Sequence, residues 1–305
     1  MLLAAEAALR VLDRTWPAAP IYPGEREATI PANFVVDADT GWRLKPEHSF
    51  TWETDGRSVS YRSDTRGFRT GPAPADGPLL VVAGDSFGFG TGVEWPESFP
   101  ARVAAARGMR LVNVSMPGYG VDQIMLAVRH HALPLKPALL LVQVYENDFE
   151  RVHTAFRERE RMAKPTFVFD AGGLRPMSAP DRSGALGQWL SRKTRLAAAW
   201  RAVERRIGRQ SGVGPWWALN AALLDAIIDD CRADGVEVVF VFVPSRRWTP
   251  FPALAGHLRA RDARLLDPTE DRADAPAGLY YERDLHLNAA GHRWLSDSIA
   301  SWLDP

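Results

Sequence analysis

The sequence predicts an α/β protein, with a parallel β-sheet covered by helices on both faces and an irregular region ahead of it. Three observations predict this. Runs such as "LLVVA" from Leu79 and "ALLLVQV" from Ala138 are apolar almost throughout, as in strands buried on both faces. Segments of helical character alternate with them, as in βαβ units. The texture also changes near residue 77, from Pro-, Gly- and Trp-rich to regularly alternating.

Residues 1–76 are expected to form an N-terminal extension that packs on a main domain at 77–305. Its opening, "MLLAAEAALRVL", reads as an amphipathic helix, too short for the roughly 18–20 apolar residues of a membrane span. It has no basic leader or small-residue cleavage site, so the cytoplasm is the default expectation, with the periplasm open to a chain truncated at its start. "GWRLKPEHSFTWETDGRSVSYRSDTRGFR" reads as short strands and turns around an aromatic cluster, and "TGPAPADGP" as a linker.

In the main domain, "LLVVA" is the first strand and "ESFPARVAAARG" a helix ended by Gly108. "LVNVS" is the second strand, followed by a helix from about Val121 to Leu133, and "ALLLVQV" is the third. An insertion at about 151–214 carries "KPTFVFDAGGLRPM", a hairpin turning at Gly172-Gly173, and a basic helix whose arginines read as a solvated face. The alternation resumes with the helix "WWALNAALLDAIIDDCRADG" and the strand "VEVVFVFVP". A short helix near Leu254–Arg261, the weak strand "RLLD" and a last helix from about Asn288 to Leu303 complete it.

The totals exclude some functions. With 37 acidic and 37 basic residues in 305, no strongly basic face is implied, and nucleic acid is not an expected partner. The single cysteine, Cys231, excludes an intrachain disulfide and reads as packing. No His/Cys/Asp spacing suggests a metal, and no cofactor is expected. Membrane association is not supported.

The chemistry gathers at strand ends. "GDSFGFGTG" follows the first strand, but it lacks the lysine of a phosphate loop, and its glycines do not open a helix. Ser86 lies just past the strand, where ligands of open α/β sheets bind. A nucleophile or a plain turn residue both fit that place. The second strand runs into "NVSMPGYG" with Gly118, and the third into "VYENDF" with Asn147 and Asp148. "RDLHLNAAGH" places Asp284 and His286 before the last helix. A serine nucleophile needs a base, an acid to orient that base, and donors for an oxyanion, and these residues include all of them.

Taken in order, "GDSF", "NVSMPGYG", "ENDF" and "DLHLNAAGH" resemble the four blocks of the SGNH/GDSL hydrolase superfamily, over about Leu79 to Leu303. The upstream "GWRLKP…SYRSDTRGFR" and the inserted "KPTFVFDAGGL" are similar to members with an N-terminal extension. The resemblance implies a three-layer, flavodoxin-like α/β/α fold. It implies Ser86 as nucleophile, His286 as general base and then acid, and Asp284 as its partner. It implies an oxyanion hole from the Ser86 N–H, the Gly118 N–H and the Asn147 side chain.

Two positions depart from that pattern. Many relatives place the acid three residues before the histidine, where this chain has Arg283. Asp284, two before, resembles the spacing of polysaccharide O-acetyltransferase-like members, with Glu282 a weaker substitute. Tyr145 stands where the asparagine block often begins with glycine, and its ring is a candidate for substrate binding. The leading expectation is a serine esterase that removes an O-acyl group, acetyl included, from a carbohydrate or small molecule through an acyl-enzyme. An O-acyltransferase on the same triad and a silent carbohydrate-binding protein are the alternatives.

Overall fold

A five-stranded, wholly parallel sheet forms the centre of the molecule, its strands in the spatial order Arg264–Leu266, Val238–Val243, Leu139–Tyr145, Leu79–Ala83 and Arg110–Asn113. The computed structural model describes residues 32–74, 76–154, 156–157, 162–177, 195–272 and 274–303. The expected N-terminal amphipathic helix lies outside them.

In chain order the described elements begin with two hairpins, β1 (Phe34–Asp37) with β2 (Gly41–Leu44), and β3 (Ser49–Thr54) with β4 (Arg57–Arg62). Then come β5 (Leu79–Ala83), α1 (Ser86–Phe89), α2 (Phe99–Ala106), β6 (Arg110–Asn113), α3 (Val121–Ala127), β7 (Leu139–Tyr145) and α4 (Asp148–Arg151). The insertion supplies the two-residue strands β8 (Phe156–Arg157) and β9 (Met162–Ala163), the hairpin β10 (Phe167–Asp170) and β11 (Gly173–Pro176), and α5 (Arg195–Ser211). α6 (Pro215–Ala233), β12 (Val238–Val243), α7 (Pro252–Ala260), β13 (Arg264–Leu266), α8 (Pro268–Asp271) and α9 (Ala289–Leu303) follow.

Why the central strands are apolar throughout is visible in their packing. Alternate residues face opposite layers. Val81, Val142 and Phe240 pack into one cluster with residues of α3, α6 and α7. Leu80, Leu141 and Val239 pack into the other with Phe99 and Val103 of α2 and Leu295 and Ile299 of α9. Each such side chain, fully buried, contributes about 1.5–3 kcal/mol. Counted along the chain, the sheet has the flavodoxin-like order, and its direction reverses between β5 and β7. Crevices at such a reversal, beyond the carboxyl ends of the strands, are where ligands bind.

Four local expectations change. The helix after β6 loses α-geometry at Ala127, widens into a π-turn at Val128–Ala132 and ends as a 3₁₀ turn at Leu133–Leu135. Pro134 in that last turn has no N–H to continue an α-helix. The inserted hairpin pairs Asp170 with Gly173, so its two-residue turn is Ala171-Gly172 rather than Gly172-Gly173. The arginine face of α5 is solvated at Arg205 and Arg206 but not at Arg209, which is half-buried and pairs with Glu146, while Arg205 reaches Glu150 at 3.1 Å. The apolar Trp200, Val203 and Ile207 are exposed as well, at 64, 49 and 48%. Finally, Asp37, Asp39 and His131 come together with ligand atoms all within 4.8 Å, which no spacing suggested. Asp37 there spends its oxygens on the Thr40 and Asp39 N–H groups and on Arg43, the chemistry of an Asx turn.

His292 on α9 is fully buried, stacks on Phe99 and accepts the Phe99 N–H at Nδ1, 3.2 Å away. Burial, then the nearby Arg69, depresses its pKa to about 3. The unfolded chain therefore binds a proton that the folded one refuses between about pH 6.5 and 3, and stability falls as pH falls through that window. Between pH 7 and 4.5 this single site should cost about 2–3 kcal/mol. The difference between wild-type and His292→Gln stability–pH curves isolates it. Parallel curves would show that the histidine does not carry this linkage.

Candidate active site

Ser86 opens α1 immediately after β5, and the turn that holds it is pinned from below. Gln143, a polar residue inside the apolar strand β7, accepts the Asp85 N–H at 3.0 Å and the Gly88 N–H at 2.9 Å through one oxygen. Gly84 must be glycine, because a Cβ would come within 2.5 Å of that same oxygen. Asp85 caps α1 by accepting the Phe87 N–H at 2.9 Å, and Asn113 at the end of β6 donates to the Gly88 carbonyl at 2.8 Å. The Ser86 N–H, an orphan of the first helical turn, has no protein acceptor among the described residues.

The chain returns to this point 200 residues later, where His286 Nε2 lies 2.7 Å from Ser86 Oγ. On the other side of the ring, Nδ1 contacts Asp284 Oδ1, which also accepts the His286 backbone N–H at 3.0 Å. That second bond explains how a spacing of two can work: a tight turn folds the carboxylate back over its own chain onto the ring. A proton on Nδ1 facing Asp284 leaves Nε2 as the acceptor for the serine hydroxyl. Ser86 is 7% exposed, while the His286 and Asp284 side chains keep 24% and 32%. Glu282 is exposed, and its described bond is made by its carbonyl, to Arg246.

The remaining expected residues lie at the end of β7 and on the turns that follow β6 and β7. Gly118 is buried in the turn after β6 with φ +85°, a conformation that favours glycine, and its N–H has no protein acceptor among the described residues. Asn147, at the start of α4, is exposed, and no side-chain bond of its amide is found among the described residues. Tyr145 is 6% exposed and packs against Phe87 at 4.8 Å, and Phe87 in turn lies 5.1 Å from the His286 ring. Its contact with the site thus runs through Phe87, and burial raises its pKa. Asp148 braces the loop after β7 by accepting the Tyr145 N–H at 2.8 Å. Its burial, then the neighbouring Asp85, holds its pKa well above the usual carboxylate range, against the pull of Arg151.

Packing of the extension on the main domain was expected, but sequence reasoning missed the residues by which its described part, from residue 32 on, reaches this site. Arg69 is 2% exposed, donates to the carbonyls of Phe89, Gly90 and Val93 at 2.6–2.8 Å, and lies 4.4 Å over the Tyr61 ring. The Tyr61 hydroxyl accepts the Gly92 N–H at 2.7 Å. Gly92 O accepts the Tyr281 hydroxyl at 2.5 Å, and the Tyr281 N–H bonds the His286 carbonyl at 3.0 Å. One chain of bonds thus joins hairpin β3–β4, the serine loop and the histidine loop. On the other flank, Trp42 donates to the Pro117 carbonyl at 3.1 Å and Gln123 to the Thr40 carbonyl at 2.7 Å. The signal that could have revealed Gln143 is a polar residue inside a doubly buried strand. Arg69 offered none, since an arginine among turn residues reads as surface.

The model of the GDSL-like lipase/acylhydrolase family matches residues 82–294, most of the chain. The protein belongs to that family. Membership makes it an SGNH hydrolase acting on ester bonds. Solved structures similar to this GDSL-like hydrolase include the psychrotrophic esterase EstA from Pseudoalteromonas sp., 12% identical, covering 75% of this chain and 100% of that one at a TM-score of 0.44. The lipase/acylhydrolase from Enterococcus faecalis is 13% identical, with 74% and 95% covered and a TM-score of 0.43. An acetyl xylan esterase, AlAXEase, is 12% identical, with 74% and 99% covered and a TM-score of 0.41. The search of curated proteins finds no match. Among the described residues, no helix of this hydrolase is long and apolar enough to cross a membrane.

Proposed function

We propose that this hydrolase removes an O-acyl group from a carbohydrate or small-molecule alcohol through an acyl-enzyme on Ser86. The observation that carries the reading is the 2.7 Å approach of His286 Nε2 to Ser86 Oγ, with Asp284 on the opposite ring nitrogen. His286 takes the hydroxyl proton as Ser86 attacks the ester carbonyl. The carbonyl oxygen becomes negative and is met by the Ser86 and Gly118 N–H groups and the Asn147 amide. Collapse of the tetrahedral intermediate breaks the bond to the alcohol oxygen, which receives the proton from His286. Water, deprotonated by the same histidine, then attacks the acyl-serine and restores the hydroxyl. Asp284 keeps the ring turned and supports its charge.

Tyr145 reaches the site through Phe87, whose ring it packs against and which lies against the His286 ring. Asn147→Ala should lower kcat by about 10²–10³-fold with little change in KM, because the donor matters most once charge develops. A change in KM alone would reassign Asn147 to ground-state binding.

The reading is tested with aryl esters of increasing acyl length, each with and without a sugar acceptor. Hydrolysis of the short-chain esters, unaffected by the sugar, is the expected result. An acylated sugar as the main product would make the protein an acyltransferase instead. Silence across the panel, with the fold intact, would leave it a binding protein.

A further inference from the structure

The three turns that carry the proposed oxyanion donors meet at one side chain. Arg151, the last residue of α4, is largely buried, with 14% of its side chain exposed. Its Nη1 donates to Asp85 Oδ2 at 3.0 Å, to the Tyr119 carbonyl at 2.7 Å and to Asp148 Oδ1 at 2.5 Å. Each partner is the chain neighbour of a proposed donor: Asp85 precedes Ser86, Tyr119 follows Gly118, and Asp148 follows Asn147.

We propose that Arg151 is a positioning residue of the oxyanion site, fastening through one nitrogen the turns of Ser86, Gly118 and Asn147. The inference rests on the reading of those three residues given above. Its physical basis is that oxyanion donors work by being preorganised, so that no reorganisation accompanies the developing charge. The three turns come from β5, β6 and β7, and a shift of one against the others would misplace a donor. Nη1 has two hydrogens for three acceptors, so at least one hydrogen is shared between two turns. The guanidinium also pairs with two buried carboxylates, Asp85 and Asp148, and so offsets their mutual repulsion. The Arg151 backbone N–H also donates to the Asn147 carbonyl at 3.1 Å, as in any helical turn, while its guanidinium acts through Asp85, Tyr119 and Asp148 and not on substrate.

Lysine is the informative replacement. It keeps the positive charge between the carboxylates, but its compact ammonium lacks the planar fork and sits on a different reach. With a short-chain aryl ester, Arg151→Lys should fold with a far-UV spectrum like the wild type and lose about 10–10²-fold in kcat, with KM within about twofold. Its loss should overlap that of Asn147→Ala: the double variant should lose clearly less than the product of the two single losses, what remains coming from the Ser86 and Gly118 turns. A wild-type kcat in Arg151→Lys, a loss confined to KM, or losses that multiply in the double variant would overturn the inference. So would failure of Arg151→Lys to fold, which would make Arg151 a residue of the fold alone. Ser86→Ala, assayed alongside, separates this outcome from failure of the functional reading, since an active Ser86→Ala variant would sink the latter whatever Arg151 does.

Discussion

Replacing Ser86 with alanine is expected to cut ester turnover by about 10⁴-fold or more. The hydroxyl is the group 2.7 Å from His286 Nε2, and without it no acyl-enzyme can form. What survives is the acceleration that bound donors give to attack by water, typically 10³–10⁴-fold over solution. Alanine removes one oxygen at a position pinned by Gln143, Asp85 and Asn113, so the turn should keep its shape and the variant its melting temperature. An organophosphonate should label the wild type at Ser86 and leave the variant unmodified. Labelling at another residue, or turnover near wild type in the variant, would refute the assignment.

The second large effect is expected at Asp284. Asparagine there keeps an oxygen for the backbone N–H of His286, so the turn should persist. It removes the negative charge that supports the imidazolium and offers an amide that favours the wrong tautomer. By the precedent of other triads the loss in kcat could reach about 10⁴-fold. Glu282→Gln should change little, because Glu282 is exposed and its carbonyl, not its carboxylate, makes the described bond. Measuring the two variants side by side decides the acid. If Glu282→Gln is the crippled one, the partner has been misassigned while Ser86 and His286 keep their roles.

The sheet was legible because its three central strands are buried on both faces, and a run such as Leu79–Ala83 has few other uses. The site was legible because each block ends a strand, so topology alone gathers Ser86, Gly118 and Asn147 at one edge. Asp284 and His286 were picked out by their place before the last helix and given roles by the resemblance, and the turn that joins them explains the short spacing. What stayed illegible depends on charges buried far along the chain from their partners. Arg69 binds carbonyls, Lys164 of the insertion forms a fully buried pair with Asp122, and Arg151 joins three loops. An isolated cation in a sequence has no periodicity to betray burial. The wide turn at Val128–Ala132 was hidden for a related reason, since apolar spacing cannot distinguish a helix from a slightly unwound one.

The bond between Ser86 and His286 closes a span of 200 residues, and the one between Gly92 and Tyr281 closes 189. Closing so long a span costs chain entropy before any contact rewards it. The sheet strands and their helices can gather earlier by shorter steps, and the catalytic pair is the natural last arrival. Esterase activity is then a reporter of completed folding rather than of secondary structure. On the proposed mechanism, a chain emerging from the ribosome would have Ser86 in place long before His286, and would stay inert towards esters until α9 had docked.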